Sequence, residues 1–207
     1  MNKKFVLIAC ECSQIECSAF RRHGAIAFSC DIQPCYGGHP EWHILDDVTK
    51  YLQGGGVFKT QDGKWHTVKQ WDLIVSHPPC TYLTKSSACR LFAGRQLNQV
   101  RYKKGIAARK FWQLCYDAQA AHIAVENPTP LTIFKLPRPQ MVIQPYEFGM
   151  PFSKRTCYWL RNLPPLMPTL HAVKYTSWTM RTSNPNVRSK SFENIAEQMA
   201  VQWLPLI

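Results

Sequence analysis

The stretch Asp72-Leu73-Ile74-Val75-Ser76-His77-Pro78-Pro79-Cys80 constrains the fold of this chain more than any other. Leu73, Ile74 and Val75 form a short apolar run rich in β-branched residues, the pattern of a strand buried on both faces. Pro78 and Pro79 end that strand, because proline donates nothing to a sheet ladder and fixes its own φ. Cys80 therefore falls just beyond the carboxyl end of a strand, where open α/β sheets hold their ligands. Ile123-Ala124-Val125-Glu126-Asn127-Pro128 repeats the design with a carboxylic acid in place of the thiol. A sheet edge that presents a thiol and a carboxyl together is expected to be an active site.

The N-terminal part reads as a nucleotide-binding unit. Residues 4–9 predict a buried strand, residues 10–13 a loop, and residues 14–23 a helix closed by Gly24 as its C-terminal cap. Residues 25–30 predict a second strand with Asp31 at its tip. Strand, loop, helix, strand and then an acid is the unit that binds adenosine-containing cofactors, the acid taking the ribose hydroxyls. The loop Ala9-Cys10-Glu11-Cys12-Ser13 departs from that pattern in having no glycine.

Further along, residues 43–45 predict a short third strand that ends at Asp46-Asp47, and residues 54–69 an inserted hairpin turning at Asp62-Gly63. Residues 81–94 read as a loop carrying Lys85 and Arg90. The spacing then predicts a long helix from about residue 98 to 121, with Ala107, Phe111, Leu114, Ala118 and Ala121 toward the sheet. Residues 141–144 and 156–160 predict strands, joined through a loop with the cations Lys154 and Arg155. Residues 161–190 are proline-rich, polar and basic, and residues 192–203 predict an amphipathic helix with Ile195, Met199 and Trp203 on one face. Trp112, Trp159 and Trp203 are expected in the core. The pattern predicts one α/β domain over residues 1–207, a doubly wound and mostly parallel sheet.

Charge narrows the partners. The excess of Lys and Arg over Asp and Glu, 25 against 13, gives a net charge of +12, which predicts attraction to a polyanion such as nucleic acid. Arg101, Lys103 and Lys104, with Arg109 and Lys110, give the long helix a basic face, for which phosphate contact and plain solvation are equal readings. Lys85, Arg90, Lys154 and Arg188 extend the candidate nucleic-acid set. No apolar run approaches the roughly 18 residues that a membrane span needs, and residues 1–4 lead into only about five apolar residues. The expectation is a cytoplasmic protein with no signal peptide and no membrane partner. Nine cysteines, an odd number spread along the chain, are expected to stay reduced. Cys30, Cys35, His39 and His43 could by spacing hold zinc, but the spacing fits no standard pattern and Cys30 falls within a predicted strand, so no metal site is assigned.

A cysteine after Pro-Pro and a glutamate before Asn-Pro serve one reaction well, the covalent activation of a pyrimidine. Thiolate attack on carbon 6 makes carbon 5 of cytosine enamine-like, and a carboxyl at ring nitrogen 3 stabilises the charge that develops. A cationic neighbour, for which His77, Lys154 and Arg155 are candidates, would help ionise the thiol.

At these residues the sequence resembles the cytosine-C5 DNA methyltransferases, with motifs in the same order. His77-Pro78-Pro79-Cys80 is similar to the family's Pro-Cys nucleophile motif, and Glu126-Asn127-Pro128 to its Glu-Asn-Val motif. Arg155 is the match to the Gln-x-Arg-x-Arg segment, and Asp31 to the acid that holds the cofactor ribose. Asp47-Val48 resembles the motif whose acid contacts the adenine, and residues 191–203 lie where the last motif returns to the cofactor pocket. The resemblance extends to a subgroup of short proteins encoded largely by bacteriophages, through Val6-Leu7-Ile8-Ala9-Cys10-Glu11, Ile143-Gln144-Pro145-Tyr146 and Thr156-Cys157-Tyr158-Trp159-Leu160. It implies a methyltransferase-type sheet with S-adenosylmethionine as cofactor, held by Glu11, Ser13, Asp31, Ile32, Asp47, Val48, Pro79 and Asn194. It implies Cys80, Glu126 and Arg155 as catalytic residues, DNA as partner, and host cytoplasm if the gene belongs to a phage.

The departures shape the alternatives. The family's Phe-x-Gly-x-Gly turn is replaced by the glycine-free loop, and only residues 161–190 are left as a recognition segment. That segment is too small to grip a duplex around a flipped base alone, so low specificity, a specificity-supplying partner protein or a substrate other than duplex DNA are all open. The same Cys and Glu pair would serve an enzyme acting on free cytosine nucleotides or placing another group at carbon 5. A non-catalytic, basic DNA-binding relative with an altered cofactor loop is the further alternative.

Overall fold

Short apolar runs without polar alternation become the central strands. The computed structural model describes residues 3–94, 96–172, 174–178 and 190–207. Strand β1 (Phe5–Ala9), helix α1 (Ile15–Arg22), β2 (Ile26–Asp31) and β3 (His43–Leu45) form the first half of the sheet layer. A hairpin of β4 (Gly56–Lys59) and β5 (Trp65–Val68) precedes β6 (Trp71–Ser76). A short helix, α2 (Ala88–Leu91), and the small ladder β7 (Phe92–Ala93) with β8 (Gln96–Leu97) lead into α3 (Gln99–Tyr116). The second half comprises β9 (Ala120–Pro128), β10 (Met141–Ile143), β11 (Phe152–Ser153), β12 (Thr156–Arg161), β13 (Thr176–Ser177) and α4 (Glu193–Trp203).

The main sheet runs β10-β12-β9-β6-β1-β2-β3. Strands β3, β2, β1, β6 and β9 are parallel, while β12 is antiparallel to both β9 and β10. The expected doubly wound, mostly parallel sheet is the one that forms. Strand order reverses between β1 and β6, which places a crevice at their carboxyl ends.

Side chains alternate faces along each strand. Val6, Ile8, Leu73 and Val75 meet Phe20 of α1 and Ile195, Met199 and Trp203 of α4. Leu7, Ala9 and Ile74 point the other way, onto Trp112 and Cys115 of α3 and onto Phe58 and Val68 of the hairpin. Trp112, Trp159 and Trp203 are fully buried, as expected. Among the described residues no helix is long and apolar enough to cross a membrane.

Two expectations about α3 are corrected. The helix ends at Tyr116 with Asp117 as its cap, and Ala120 and Ala121 already belong to β9. Its buried stripe is Gly105, Trp112 and Cys115, whereas Ala107 and Leu114 are exposed. The cause is Gly105: a Cβ there would lie 2.1 Å from the Phe134 ring, so the bare backbone admits Phe134 and sets the rotation of the helix.

Three of the four residues weighed as zinc ligands, Cys30, His39 and His43, have other partners. The Cys30 thiol points to the Asp46 carbonyl, both His43 ring nitrogens are engaged by Ser29 and the Gln33 carbonyl, and His39 stacks on Trp42. Among the described residues no group of three His, Cys, Asp or Glu is arranged to hold a metal.

Candidate active site

The loop after β1 keeps a glycine-type backbone without glycine. Cys10 and Gln14 lie at φ 61° and 60°, in the left-handed region that costs an ordinary residue about 1–2 kcal/mol. Side chains hold it there. The Gln14 amide donates to the His39 carbonyl at 2.8 Å and accepts from the His39 N–H at 3.1 Å. Gly37 fits flush against the loop, since a Cβ there would lie 2.5 Å from the Ser13 carbonyl oxygen. Glu11 turns inward and accepts from the N–H groups of Glu16 (2.9 Å) and Cys17 (3.3 Å), two of the donors that the start of α1 leaves without helical partners. Ser13 donates to the same carboxyl.

At the neighbouring strand ends, Asp31 uses one carboxylate oxygen on the Gln33 N–H, and Ile32 beside it is 75% exposed. Asp47 opens the turn over Val48–Lys50 by accepting from the Thr49 N–H and hydroxyl, and Val48 is buried beneath. Asp46, which was not among the expected site residues, takes the Tyr51 hydroxyl and the Lys50 ammonium. Cys10 sits within this group, its thiol pushed well up by burial first and then by Cys115, Asp31, Cys30 and Asp47.

Strands β6 and β9 are adjacent and in register, Ser76 opposite Val125, so the residues that follow them meet. Pro79 is exposed at the exit of β6, and the Cys80 carbonyl accepts from the N–H groups of Leu83 and Thr84 in a tight turn. That turn is laced to the segment after Glu126: the Leu131 N–H donates to the Leu83 carbonyl at 2.7 Å and the Lys85 N–H to the Thr129 carbonyl at 2.8 Å. The structure thus brings the Cys80 turn and the Glu126 segment together on one rim. Arg155, exposed, joins the rim through the Thr129 hydroxyl. Lys154 lines a cavity of about 20 Å³ together with His77, Glu126, Tyr158 and Ser191.

Behind the rim lies a chain of buried acids. The His77 Nε2 is 2.8 Å from Glu16, its Nδ1 is 3.6 Å from Glu126, and Ser191 donates to the other oxygen of Glu16 at 2.7 Å. Burial works against the His77 imidazolium, but the charges of Glu16 and Glu126 outweigh it and hold the ring well above its ordinary range. Burial, and then the charge of Glu16, push the Glu11 carboxyl up to about 7, against the pull of the Glu16 N–H, His77 and the Cys17 N–H. Sequence reading singled out His77 only as a cation for the thiol and passed over Glu16. An acid in the first turn of a helix reads as an ordinary complement to the helix dipole.

The basic candidates divide. Lys85, Arg90, Lys103 and Lys104 are exposed. Arg101, half-buried, folds back over the surface, donating to the Thr81 carbonyl at 3.0 Å and lying 4.9 Å from the Tyr82 ring, so it braces the Cys80 turn. Lys104 also lies over Tyr82, at 5.8 Å. Asn194 donates to the Phe148 carbonyl, which ties the start of α4 to that loop. Arg188 lies outside the described residues.

No family model and no curated protein matches the sequence. Solved structures do resemble the fold. A protein described as a DNA modification methyltransferase encoded within an E. coli prophage is 12% identical at a TM-score of 0.46, over 82% of this chain and 52% of that one. The Entamoeba histolytica methyltransferase EhMeth is 14% identical at 0.41, over 85% and 58%. The S. pombe Dnmt2 methyltransferase is 12% identical at 0.41, over 86% and 53%. The chain spans about half the length of these structures.

Proposed function

We propose that the chain transfers a methyl group from S-adenosylmethionine to carbon 5 of cytosine in DNA through a covalent adduct with Cys80. The observation that carries this reading is the lacing of the Cys80 turn to the Glu126 segment at the carboxyl ends of neighbouring strands. A thiol and a carboxyl on one rim are what addition across a pyrimidine ring requires.

The residues around the crevice fit the cofactor. Asp31 offers an acid at the tip of β2, and the exposed Ile32 offers an apolar face for a base. The positive φ values at Cys10 and Gln14 keep the loop close to the conformation that a glycine turn would take. When bound there, S-adenosylmethionine supplies an electrophilic methyl group. The chain does the rest. The Cys80 thiolate bonds to carbon 6, the ring electrons shift toward carbon 5 and nitrogen 3, and Glu126 delivers a proton to nitrogen 3. After carbon 5 has gained its methyl group it loses its proton to water, the carbon 6 to sulfur bond breaks, and nitrogen 3 returns its proton. Arg155 at the rim holds the base or its phosphate, and Lys85, Arg90, Lys103 and Lys104 face the DNA backbone.

The test is methyl transfer from labelled S-adenosylmethionine to mixed-sequence DNA, read by nucleoside mass spectrometry, with Cys80→Ser alongside. The expected result is 5-methylcytosine with wild type only. Transfer to free nucleotides but not to DNA moves the substrate, and absence of both transfer and cofactor binding leaves a basic DNA-binding protein.

A further inference from the structure

Methyl transfer as described leaves Glu16 and His77 without a task, yet they form a connected buried group. Glu16 is 0% exposed, and a buried carboxylate is strongly disfavoured unless hydrogen-bonded. Here both oxygens are used, one by Ser191 and one by His77. The other ring nitrogen of His77 faces Glu126, so one imidazole joins a sealed carboxyl to the carboxyl on the substrate side.

We propose that His77 is a positioning residue for Glu126: anchored on Glu16, it orients the Glu126 carboxyl and hands it a proton as a cytosine ring nitrogen takes one. This rests on the cytosine-C5 reading above. As the Cys80 sulfur bonds to carbon 6, the His77 Nδ1–H bond breaks and its proton passes through the Glu126 carboxylate to nitrogen 3, where the new N–H bond forms. The imidazole is left neutral and still bonded to Glu16, and Glu126 ends as the carboxylate it began as. When the carbon 6 to sulfur bond breaks, the proton returns along the same path, so the relay consumes nothing. The 3.6 Å separation is longer than a hydrogen bond and must tighten when the base docks, as catalytic contacts commonly do.

Several groups face His77. Glu16 lies on α1 with Glu11 behind it on the preceding loop, Glu126 on β9 and Tyr158 on β12. Lys154 and Ser191 complete the cavity wall. Burial works against the imidazolium, and the two nearest acids outweigh it, raising the ring's hold on its proton.

The test follows the ring resonances of the seven histidines in the full chain across pH, with the His77 signal assigned by its loss in His77→Gln. The His77 signal is expected to titrate above the others and to move toward the ordinary value of about 6.5 in Glu16→Gln. It is expected to move the same way in Glu126→Gln, which carries the measurement if Glu16→Gln does not fold. Single-turnover methyl transfer by His77→Gln is expected to fall about tenfold or more, with its alkaline limb shifted to lower pH. A His77 signal that titrates among the others, and moves in neither variant, overturns the proposal. If 5-methylcytosine forms but its pH profile is unchanged in His77→Gln, the relay alone falls. If wild type forms no 5-methylcytosine, the reaction falls and the relay's role falls with it.

Discussion

The main-chain N–H of Leu131 donates to the carbonyl of Leu83 over 2.7 Å, and through that bond the cysteine turn and the glutamate segment share one scaffold. Leu131 has φ −72° and ψ 129°, which a proline ring accepts without strain. Leu131→Pro therefore removes the bond while leaving the backbone shape. Stability is expected to fall by only about 1 kcal/mol. Methyl transfer is expected to fall about tenfold or more, because a misplacement near 1 Å costs up to about a hundredfold. Leu131→Ala, which keeps the N–H, is the control, and equal rates for the two variants would sink the idea.

Arg101 and Lys103 lie two residues apart on α3 in different settings. Lys103 is exposed, and Lys103→Ala is expected to weaken DNA binding and reduce its salt slope by about 1. Arg101 braces Thr81 and Tyr82, so Arg101→Ala is expected to slow single-turnover transfer at saturating DNA. Filter binding across a salt series, paired with rapid quench, separates the two.

Two groups make acid stabilising here, against the opposite pull of His43, which burial holds below its ordinary range. The Glu11 carboxyl is raised from 4.5 to about 7 on folding, so the folded state holds its proton more tightly. That contribution is present at low pH and is lost as pH rises from 4.5 to about 7. His77 acts in the same sense: its raised value contributes stability below about 6.5 that is lost as pH climbs through the folded value. Urea midpoints are expected to be higher at pH 5.5 than at pH 8.5, and Glu11→Gln should flatten the change between pH 4.5 and 7. A wild-type midpoint that rises with pH across this window would contradict both assignments.

Gly105 lies inside a helix, where alanine normally gains about 1 kcal/mol over glycine. Here a methyl group would meet the buried Phe134 ring at 2.1 Å, and overpacking costs about 1–3 kcal/mol. Gly105→Ala is expected to destabilise, with Phe134→Leu restoring part of the loss when the two are combined. Denaturant melts of the single and double variants decide the sign.

Much of this architecture is legible in local patterns. Val6 to Ile8, Leu73 to Val75 and Ile123 to Val125 announce buried strands because so short an apolar run has few other fates. Pro78-Pro79 and Pro128 mark where two of those strands stop, which places Cys80 and Glu126 at strand ends before any pairing is known. The face of α3 is not legible: Ala107 and Gly105 are equally plausible inward positions until Phe134, far along the chain, arrives against one of them. The link from Glu16 to His77 is hidden for the same reason, since it depends on β6 lying beside β1. The loop at Cys10 to Gln14 hides its glycine-like shape because what holds it, the bonds to His39 and the close packing of Gly37, lies outside the motif.

Ser191 reaches Glu16 across 175 residues of chain, and α4 closes over the same face of the sheet. During synthesis the first helix therefore emerges long before its cover does. A nascent chain stopped short of residue 191 has its early strands available but leaves Glu16 without its hydroxyl partner and the apolar face open to water. Loop closure over such a span comes late, because the ordering it demands precedes any reward. Docking of α4 therefore covers this face and completes the Glu16 contact in one step, and a chain that lacks residues 191–203 loses both together.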